Sequence, residues 1–326
     1  MNIEIKVLEW PQVDLDELAT LTYACRKASP LWVEGQSKDV FKNYLLQGKE
    51  RWPQSVVIAA YQNERLIGWL CLITEDQLLF EIWRWHPFIS PGNDEESVAK
   101  LLFSNAVLIA GEKGAQSLEV ICAFQKHQLT AQVDKYYQRQ LAWYEKNGLR
   151  KSDEAAYMTC SADELMLMHS PAVPAPFMIS SYHPGHKKSI FECYIQAFSS
   201  GQDQSFLEKT EEQKQTMFEG YFNEDFNSQA SKVLLDNDIV KGVSLVQTRQ
   251  RVGDEHLALI AVSPEFQGQG WGRKLLSASM QVGVQRGNGL FSIGVDLGNE
   301  RAYNLYRSMG FEVQSKLINH IWKNGK

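Results

Sequence analysis

The sequence of 326 residues is long enough for two domains of ordinary size. Its hydrophobic content of 44% and charged content of 22% are typical of a globular protein with a normal core. A formal net charge of −6 argues against nucleic acid or an anionic membrane as a partner. The five cysteines are scattered without CxxC spacing, which predicts a reducing compartment and no metal site. Because the N-terminus carries no apolar signal-like stretch, we expect a cytoplasmic protein.

The first half of the chain alternates strands with helices. Asp14 is a predicted helix N-cap, and Asn63-Glu64 is a predicted hairpin turn. Strands are predicted at 2–8, 55–61, 66–73, 78–85 and 118–124, with 157–160 as part of a final strand, and helices at 14–26, 38–47, 95–111 and 134–146. The Pro-rich segment 169–177 favours an extended spacer. We therefore expect a first domain at 1–168, a linker at 169–177 and a second domain at 178–326.

The second half repeats this order of elements, with a second hairpin turn predicted at Asn237-Asp238. Strands are predicted at 178–182, 231–236, 239–247, 256–262, 290–296 and within 311–322, and helices at 185–198, 211–222, 271–286 and 299–308. Similarity at this spacing indicates a duplicated domain. The predicted fold class is α/β (α+β in some schemes), with two tandem domains that each hold a mixed, mostly antiparallel sheet flanked by helices.

The connection between the strand at 256–262 and the helix at 271–286 contains Gly268, Gly270 and Gly272. Glycine permits positive φ and close approach of a ligand, so successive backbone N–H groups can point at one anion. The helix that follows adds its free N–H groups and the positive end of its dipole. The spacing fits neither the dinucleotide fingerprint nor the nucleotide P-loop. The pattern predicts a binding site for phosphate or pyrophosphate.

The run from Gln267 to Gly272, preceded by Val262-Ser-Pro264, resembles the Q-x-x-G-x-G motif of the GNAT superfamily of N-acetyltransferases. Asn299 and the run from Leu305 to Phe311 resemble the second motif of that family. The resemblance implies two GNAT-like domains, acetyl-CoA as donor without a metal, and direct attack by an amine. The acceptor would be a small-molecule or peptide amine, and the oligomeric state stays unknown. A non-catalytic coenzyme A sensor or partner-binding module is the alternative.

The resemblance also implies roles for the residues of both motifs. The backbones of Ile260, Ala261 and Val262 would pair with the pantetheine arm and stabilise the thioester oxyanion. Tyr306 would be the general acid for the leaving thiolate. Asn299 would hydrogen-bond the pantetheine or help to order the loop, or would only cap the last helix. The residues expected around the pyrophosphate are Gln267, Gly268, Gln269, Gly270, Trp271, Gly272, Arg273 and Lys274.

The candidate general base is His256, which lies six residues before Val262. Members of the family carry a glutamate or a histidine at this place. Strand alternation predicts that its side chain shares a face with Ile260 and Val262. An imidazole is near half-deprotonated around neutral pH, which suits a base, although a structural histidine is the competing interpretation. Glu255 is the alternative base. Gly294 stands where ribosomal-protein acetylating members carry a glutamate, which argues against peptide substrates.

The corresponding loop of the N-terminal copy, residues 86–96, has lost this chemistry. It retains only Gly92 and places Asp94, Glu95 and Glu96 at the helix start. These carboxylates satisfy the helix dipole and repel phosphate. We therefore expect no coenzyme A binding of the family type in this half. Tyr144, the counterpart of Tyr306, is expected to be a core residue.

Overall fold

The computed structural model describes residues 3–84, 86–125, 130–162, 172–200, 204–207, 209–250 and 252–325. By their internal contacts, the residues fall into two compact units. The first comprises Met1–Asp153 and Leu317–Lys326, and the second comprises Glu154–Lys316. The linker at 169–177 stays a prediction, and residues 163–171 lie outside the described part of the chain. Among the helices described, none is long and apolar enough to cross a membrane.

The first unit is built on a sheet with helices on both faces. Its strands are β1 (Glu4–Glu9), β2 (Val56–Gln62), β3 (Arg65–Ile73), β4 (Leu79–Ile82), β5 (Phe88–Ile89) and β6 (Ser117–Gln125), and its helices are α1 (Leu15–Ala28), α2 (Lys38–Arg51), α3 (Glu95–Glu112) and α4 (Ala131–Lys146). Neighbouring strands follow the order β1-β2-β3-β4-β6, and β5 pairs with β3. Ile58 packs with the α3 and α4 side, whereas Val57 packs with the α1 and α2 side. Burial on both faces explains the continuous apolar run of β2.

The second unit has the same layout. Its strands are β7 (Arg150–Ser161), β8 (Met178–Ser181), β9 (Lys232–Asp236), β10 (Ile239–Arg249), β11 (Asp254–Val262) and β12 (Leu290–Asp296), and its helices are α5 (Lys187–Ser199), α6 (Gln204–Leu207), α7 (Glu211–Gly220), α8 (Trp271–Gln285) and α9 (Glu300–Ser308). Strand order is β7-β12-β11-β10-β9-β8, and only the β11–β12 pair within this run is parallel. The last strand, β13 (Glu312–Lys323), belongs to the first unit from Leu317 onward. The predicted mixed, mostly antiparallel sheets are confirmed.

The structure contains the two hairpin turns and the Asp14 helix cap that the sequence predicts. Asn63-Glu64 has φ values of 49° and 64°, and Asn237-Asp238 has 46° and 65°. Positive φ at both central residues is the hairpin turn that matches strand twist. The side chain of Asp14 caps α1, as predicted. The same turn at the same place in both units supports the duplication.

One strand prediction was incomplete and one had a wrong bound. Residues 157–160, predicted as part of a strand, lie within β7, which begins at Arg150; its first residues are polar and exposed and so carry no apolar alternation. β4 ends at Ile82 rather than at residue 85, and the chain pairs again only at Phe88.

Candidate active site

β11 and β12 separate partway along their length. They pair in parallel only through Glu255–Leu257 and Phe291–Ile293. Beyond this point β11 continues to Val262 paired with β10, whereas β12 continues to Asp296 paired with β7. Among the described residues, the β12-facing edge of β11 after Leu257 therefore has no strand partner. Ile260, Ala261 and Val262 lie on this free edge, where an extended ligand can add as a further strand.

A β-bulge lies where the two strands separate. In the pairing of β11 with β10, Leu259 is opposite Leu245 and Leu257 is opposite Val246. Ala258 is the extra residue, so two positions of β11 advance against one position of its partner. A bulge of this kind changes which face the following side chains occupy.

The packing partners show the change of face. Leu257 and Ile260 both pack toward α8, whereas Leu259 packs with residues of α5. Simple alternation would put Leu257 and Ile260 on opposite faces. The side chain of His256, which neighbours Leu257, therefore lies on the face opposite to Ile260 and Val262. The predicted shared face was wrong, because the bulge intervenes.

The glycine loop has the predicted backbone. Gly268 and Gly270 have φ values of 76° and 82°, and a Cβ on either would meet no heavy atom within 4 Å. Gly270 is the N-cap of α8, and no side chain caps the helix. The first backbone N–H groups of α8 are therefore available to an anion. Gly272 serves packing instead, since a Cβ there would come within 3.1 Å of Leu305.

Two glutamines brace the loop. The side-chain nitrogen of Gln267 donates to the carbonyl oxygen of Val262 at 2.9 Å, and its oxygen accepts from Arg301 at 2.7 Å. Gln269 donates to the carbonyl oxygen of Glu265 at 2.8 Å. These bonds tie the loop to the end of β11 and to α9, so its backbone is held in place before a ligand arrives.

The cations of α8 have protein partners. Arg273 donates to the carbonyl oxygen of Ser308 at 3.4 Å and also to its hydroxyl. Lys274 donates to the carbonyl oxygen of Ala172 at 2.8 Å and lies 4.6 Å above the ring of Trp271. Trp271 is buried in an apolar cluster. In this arrangement both cationic side chains have protein partners, whereas no side chain caps the backbone N–H groups at the start of α8.

The corresponding helix start of the first unit is closed by carboxylates, as predicted. Asp94 accepts from the backbone N–H of Ser97 at 3.2 Å. Glu95 forms an ion pair with Arg139 at 2.6 Å. Asp94 therefore occupies one of the free N–H donors of α3, and the carboxylates at this helix start offset its dipole and repel an anion.

Tyr306 is buried among apolar side chains of α8, β12 and α9. Burial raises the pKa of Tyr306, so its hydroxyl stays protonated at neutral pH. This hydroxyl makes no hydrogen bond to another residue in the described part of the chain. Tyr144, in contrast, donates to the carbonyl oxygen of His86 at 3.2 Å, which confirms its core position. The phenol of Tyr144 therefore forms a structural hydrogen bond, whereas that of Tyr306 forms none with the described residues.

Asn299 is the N-cap of α9. Its side-chain oxygen accepts from the backbone N–H of Ala302 at 3.1 Å. The structure therefore shows the capping role of Asn299, and a contact with the pantetheine stays a prediction. The amide nitrogen has no such bond to a described residue, so the side chain still has a donor to offer.

His256 belongs to a polar network that the sequence did not predict. Its Nδ1 lies 2.9 Å from the hydroxyl of Ser292, which accepts from Arg249 at 2.9 Å. Arg249 also donates through Nε to Asp254 at 2.9 Å, and the hydroxyl of Tyr157 donates to Asp254 at 3.2 Å. Arg249 and Asp254 are opposite each other in the pairing of β10 with β11. A hairpin predicted between these two strands would therefore have brought these two members of the network together.

Burial, followed by the charge of Arg249, lowers the pKa of His256 to about 4, against the opposing charge of Asp254. The imidazole is therefore neutral throughout the neutral pH range, rather than half-protonated as expected. The side chain of Glu255 lies on the face of β11 opposite to that of His256. It is fully buried against Gly283 of α8 and accepts from Thr248 at 2.9 Å. The structure does not bring this alternative base together with His256.

Comparison with known proteins finds a family match within the second unit. Residues 189–311 match the model of the acetyltransferase (GNAT) family. A segment of 69 residues is 36% identical to the spermidine N(1)-acetyltransferase of Escherichia coli (strain K12), and it covers 21% of this chain and 37% of that protein. The match thus spans little more than a third of the length of that relative.

Two solved structures share the fold over nearly the whole chain. The GCN5-related N-acetyltransferase from Sphaerobacter thermophilus has a TM-score of 0.63 at 16% identity, with 98% of this chain and 95% of that chain covered. A tandem GNAT protein from the clavulanic acid biosynthesis pathway has a TM-score of 0.59 at 13% identity, with 100% and 99% covered. The match to the acetyltransferase (GNAT) family thus covers residues 189–311, and the chain as a whole shares its fold with these two GNAT proteins, one of them a tandem protein.

Proposed function

We propose that the chain is an acetyl-CoA-dependent N-acetyltransferase that acts through its second unit on a primary amine. One observation carries the proposal. The free edge of β11 leads directly into a glycine loop and an uncapped helix, in the part of the chain that matches the acetyltransferase family. A strand edge suits an amide-bearing arm, and an uncapped helix N-terminus suits a pyrophosphate. The closed helix start of the first unit supports one coenzyme site in each chain.

Acetyl-CoA supplies an activated thioester. The backbones of Ile260, Ala261 and Val262 would hydrogen-bond its pantetheine arm, and the N–H groups from Gly268 to Arg273 would hold its pyrophosphate. Gln267 would keep the loop in register with the end of β11. The amide nitrogen of Asn299 would donate to the arm while its oxygen caps α9.

In the chemical step, the amine nitrogen attacks the acetyl carbon and the C–S bond breaks. A backbone N–H of the free β11 edge would stabilise the oxyanion. Tyr306 would donate its proton to the leaving thiolate. Its raised pKa means that the phenol carries this proton at neutral pH. His256 would accept the proton that the amine loses, directly or through water. The low pKa of His256 means that it is always ready in the base form at neutral pH, although it is a weak base.

The acceptor class follows from the reaction and from one relative. Spermidine is the first amine to test, because the partly matched Escherichia coli protein is named for it. Small amines, amino acids and peptides complete the panel. The absence of a carboxylate at Gly294 argues against peptides.

The decisive experiment measures thiol release from acetyl-CoA across this amine panel. We expect release with at least one amine and a strong decrease in the Tyr306→Phe variant. If the protein binds acetyl-CoA yet releases no thiol with any amine, the enzymatic proposal is contradicted and a coenzyme A sensor becomes the better account.

A further inference from the structure

The side chain of Gln267 joins the glycine loop to two other elements. Its nitrogen donates to the carbonyl oxygen of Val262 at the end of β11, and its oxygen accepts from the guanidinium of Arg301 in the first turn of α9. A carbonyl oxygen can only accept and a guanidinium can only donate, so a single orientation of the Gln267 amide satisfies both partners. Each partner therefore holds the amide in place for the other.

The carbonyl group that Gln267 binds lies on the free edge of β11. The backbone N–H of Ser263 donates to the carbonyl oxygen of Lys241 in β10 at 2.9 Å. Backbone groups of successive residues in an antiparallel pair point to alternate sides, so the carbonyl of Val262 points away from β10. Gln267 thus occupies the acceptor at the end of the free edge, where the loop begins. This contact sets the position of the loop relative to the edge proposed for the pantetheine arm.

Arg301 contributes little to the stability of α9 itself. Its side chain is exposed, and a cation in the first turn of a helix is unfavourable to the helix dipole. Within the described part of the chain, its side chain forms a hydrogen bond only to Gln267, at 2.7 Å. A residue that opposes a local rule of helix stability is expected where a function compensates for the cost. The bond to the glycine loop supplies that compensation.

We propose that Arg301 is a positioning residue of the coenzyme site: acting through Gln267, it holds the glycine loop at the end of β11 before acetyl-CoA arrives. The identity of the ligand rests on the proposed function, whereas the order of the loop is a property of the free protein. Without Arg301 the amide of Gln267 can turn, and the loop gains conformational freedom that binding must remove. The affinity for acetyl-CoA should fall. At saturating acetyl-CoA kcat should change little, because Arg301 acts on the loop and not on the reacting atoms.

A double-mutant cycle tests whether Arg301 acts through Gln267. Calorimetry with acetyl-CoA is carried out on Arg301→Met, Gln267→Met and the double variant. We expect each single variant to lose affinity by about two- to tenfold, which is the net worth of one hydrogen bond. The double variant should lose no more than Gln267→Met alone, because the two side chains act as one unit. If Arg301→Met has its full effect in the Gln267→Met background, Arg301 acts on the coenzyme directly or by its charge, and the proposal is overturned.

Arg286→Met is the matched control for the loss of a positive charge. Arg286 is the exposed C-cap residue of α8, and the length of this helix places it roughly 20 Å from the glycine loop. Its substitution should leave the affinity for acetyl-CoA unchanged. An equal loss of affinity in Arg286→Met would show that net charge, rather than the bond to Gln267, governs binding.

Backbone ¹⁵N relaxation measures the order of the loop without any ligand, through the N–H groups of Gly268 and Gly270. We expect order parameters typical of rigid backbone in the wild type and in Arg286→Met, and lower values in Arg301→Met. Arg301→Lys should restore the wild-type values, because an ammonium group can also donate the single bond to Gln267. Wild-type order parameters in a folded Arg301→Met protein overturn the proposal.

The two measurements separate this proposal from the proposed function. A chain that binds acetyl-CoA but transfers acetyl to no amine contradicts the proposed function alone, since neither measurement depends on turnover. A chain that binds no acetyl-CoA also contradicts the proposed function, and the relaxation data then decide whether Arg301 orders the loop.

Discussion

Substitution of Gly270 by alanine tests whether the glycine loop binds the coenzyme. Gly270 has a φ of 82°, and a Cβ there would meet no protein atom within 4 Å. The cost of the substitution is therefore backbone strain, about 1–2 kcal/mol for an L-residue in the left-handed region. If the ligand-free loop of the variant relaxes to a backbone conformation without this strain, coenzyme binding must restore the positive φ at residue 270. The strain energy is then lost from the binding free energy. The expected loss of acetyl-CoA affinity is then about 5- to 30-fold.

Isothermal titration calorimetry with acetyl-CoA measures this loss, and a thermal melt establishes that the variant is folded. Gly92→Ala is the matched control, because Gly92 has a φ of 86°, equally open surroundings, and a place in the corresponding loop of the first unit. It should cost similar stability while leaving the affinity intact. A folded Gly270→Ala protein with wild-type affinity would refute the reasoning, as would an equal loss of affinity in Gly92→Ala.

Four further predictions concern the number of coenzyme sites, the two equivalent tyrosines, the candidate base and the buried histidines. Calorimetry should find one acetyl-CoA site in each chain, and two equivalent sites would contradict the contrast between the helix starts. Tyr306→Phe should lower kcat by about 10²-fold or more with little change in acetyl-CoA affinity, whereas Tyr144→Phe should affect only thermal stability. His256→Ala should cost on the order of 10²–10⁴ in kcat/KM, and the wild-type acid limb should lie near pH 4; a limb near pH 6.5 would show that the imidazole is not buried as described. Because burial lowers the pKa of His256 to about 4 and that of His86 to about 3, the unfolded state binds more protons below about pH 6.5, so the melting temperature should fall as the pH drops from 6.5 toward 4.

The sequence determined the features that depend on neighbouring residues. Asn63-Glu64 and Asn237-Asp238 specify hairpin turns because Asn and Asp side chains tolerate positive φ. Gly268 and Gly270 specify the loop for the same reason. Apolar periodicity then located most strands and helices, and the repeated order revealed the duplication. The closure of the α3 helix start by carboxylates could also be predicted from the sequence, because a carboxylate in the first turn acts on the N–H groups of its own helix.

Only the tertiary structure decided how the candidate base is presented. The bulge at Ala258 depends on the pairing of β11 with β10, and a single extra residue reverses the face of every side chain beyond it. Alternation along β11 alone therefore gave the wrong face for His256. Its low pKa is likewise a property of burial and of the charge of Arg249, and Ser292 reaches it from a strand distant in sequence. Solvation and electrostatic interaction act through space, so no local pattern in the sequence records them.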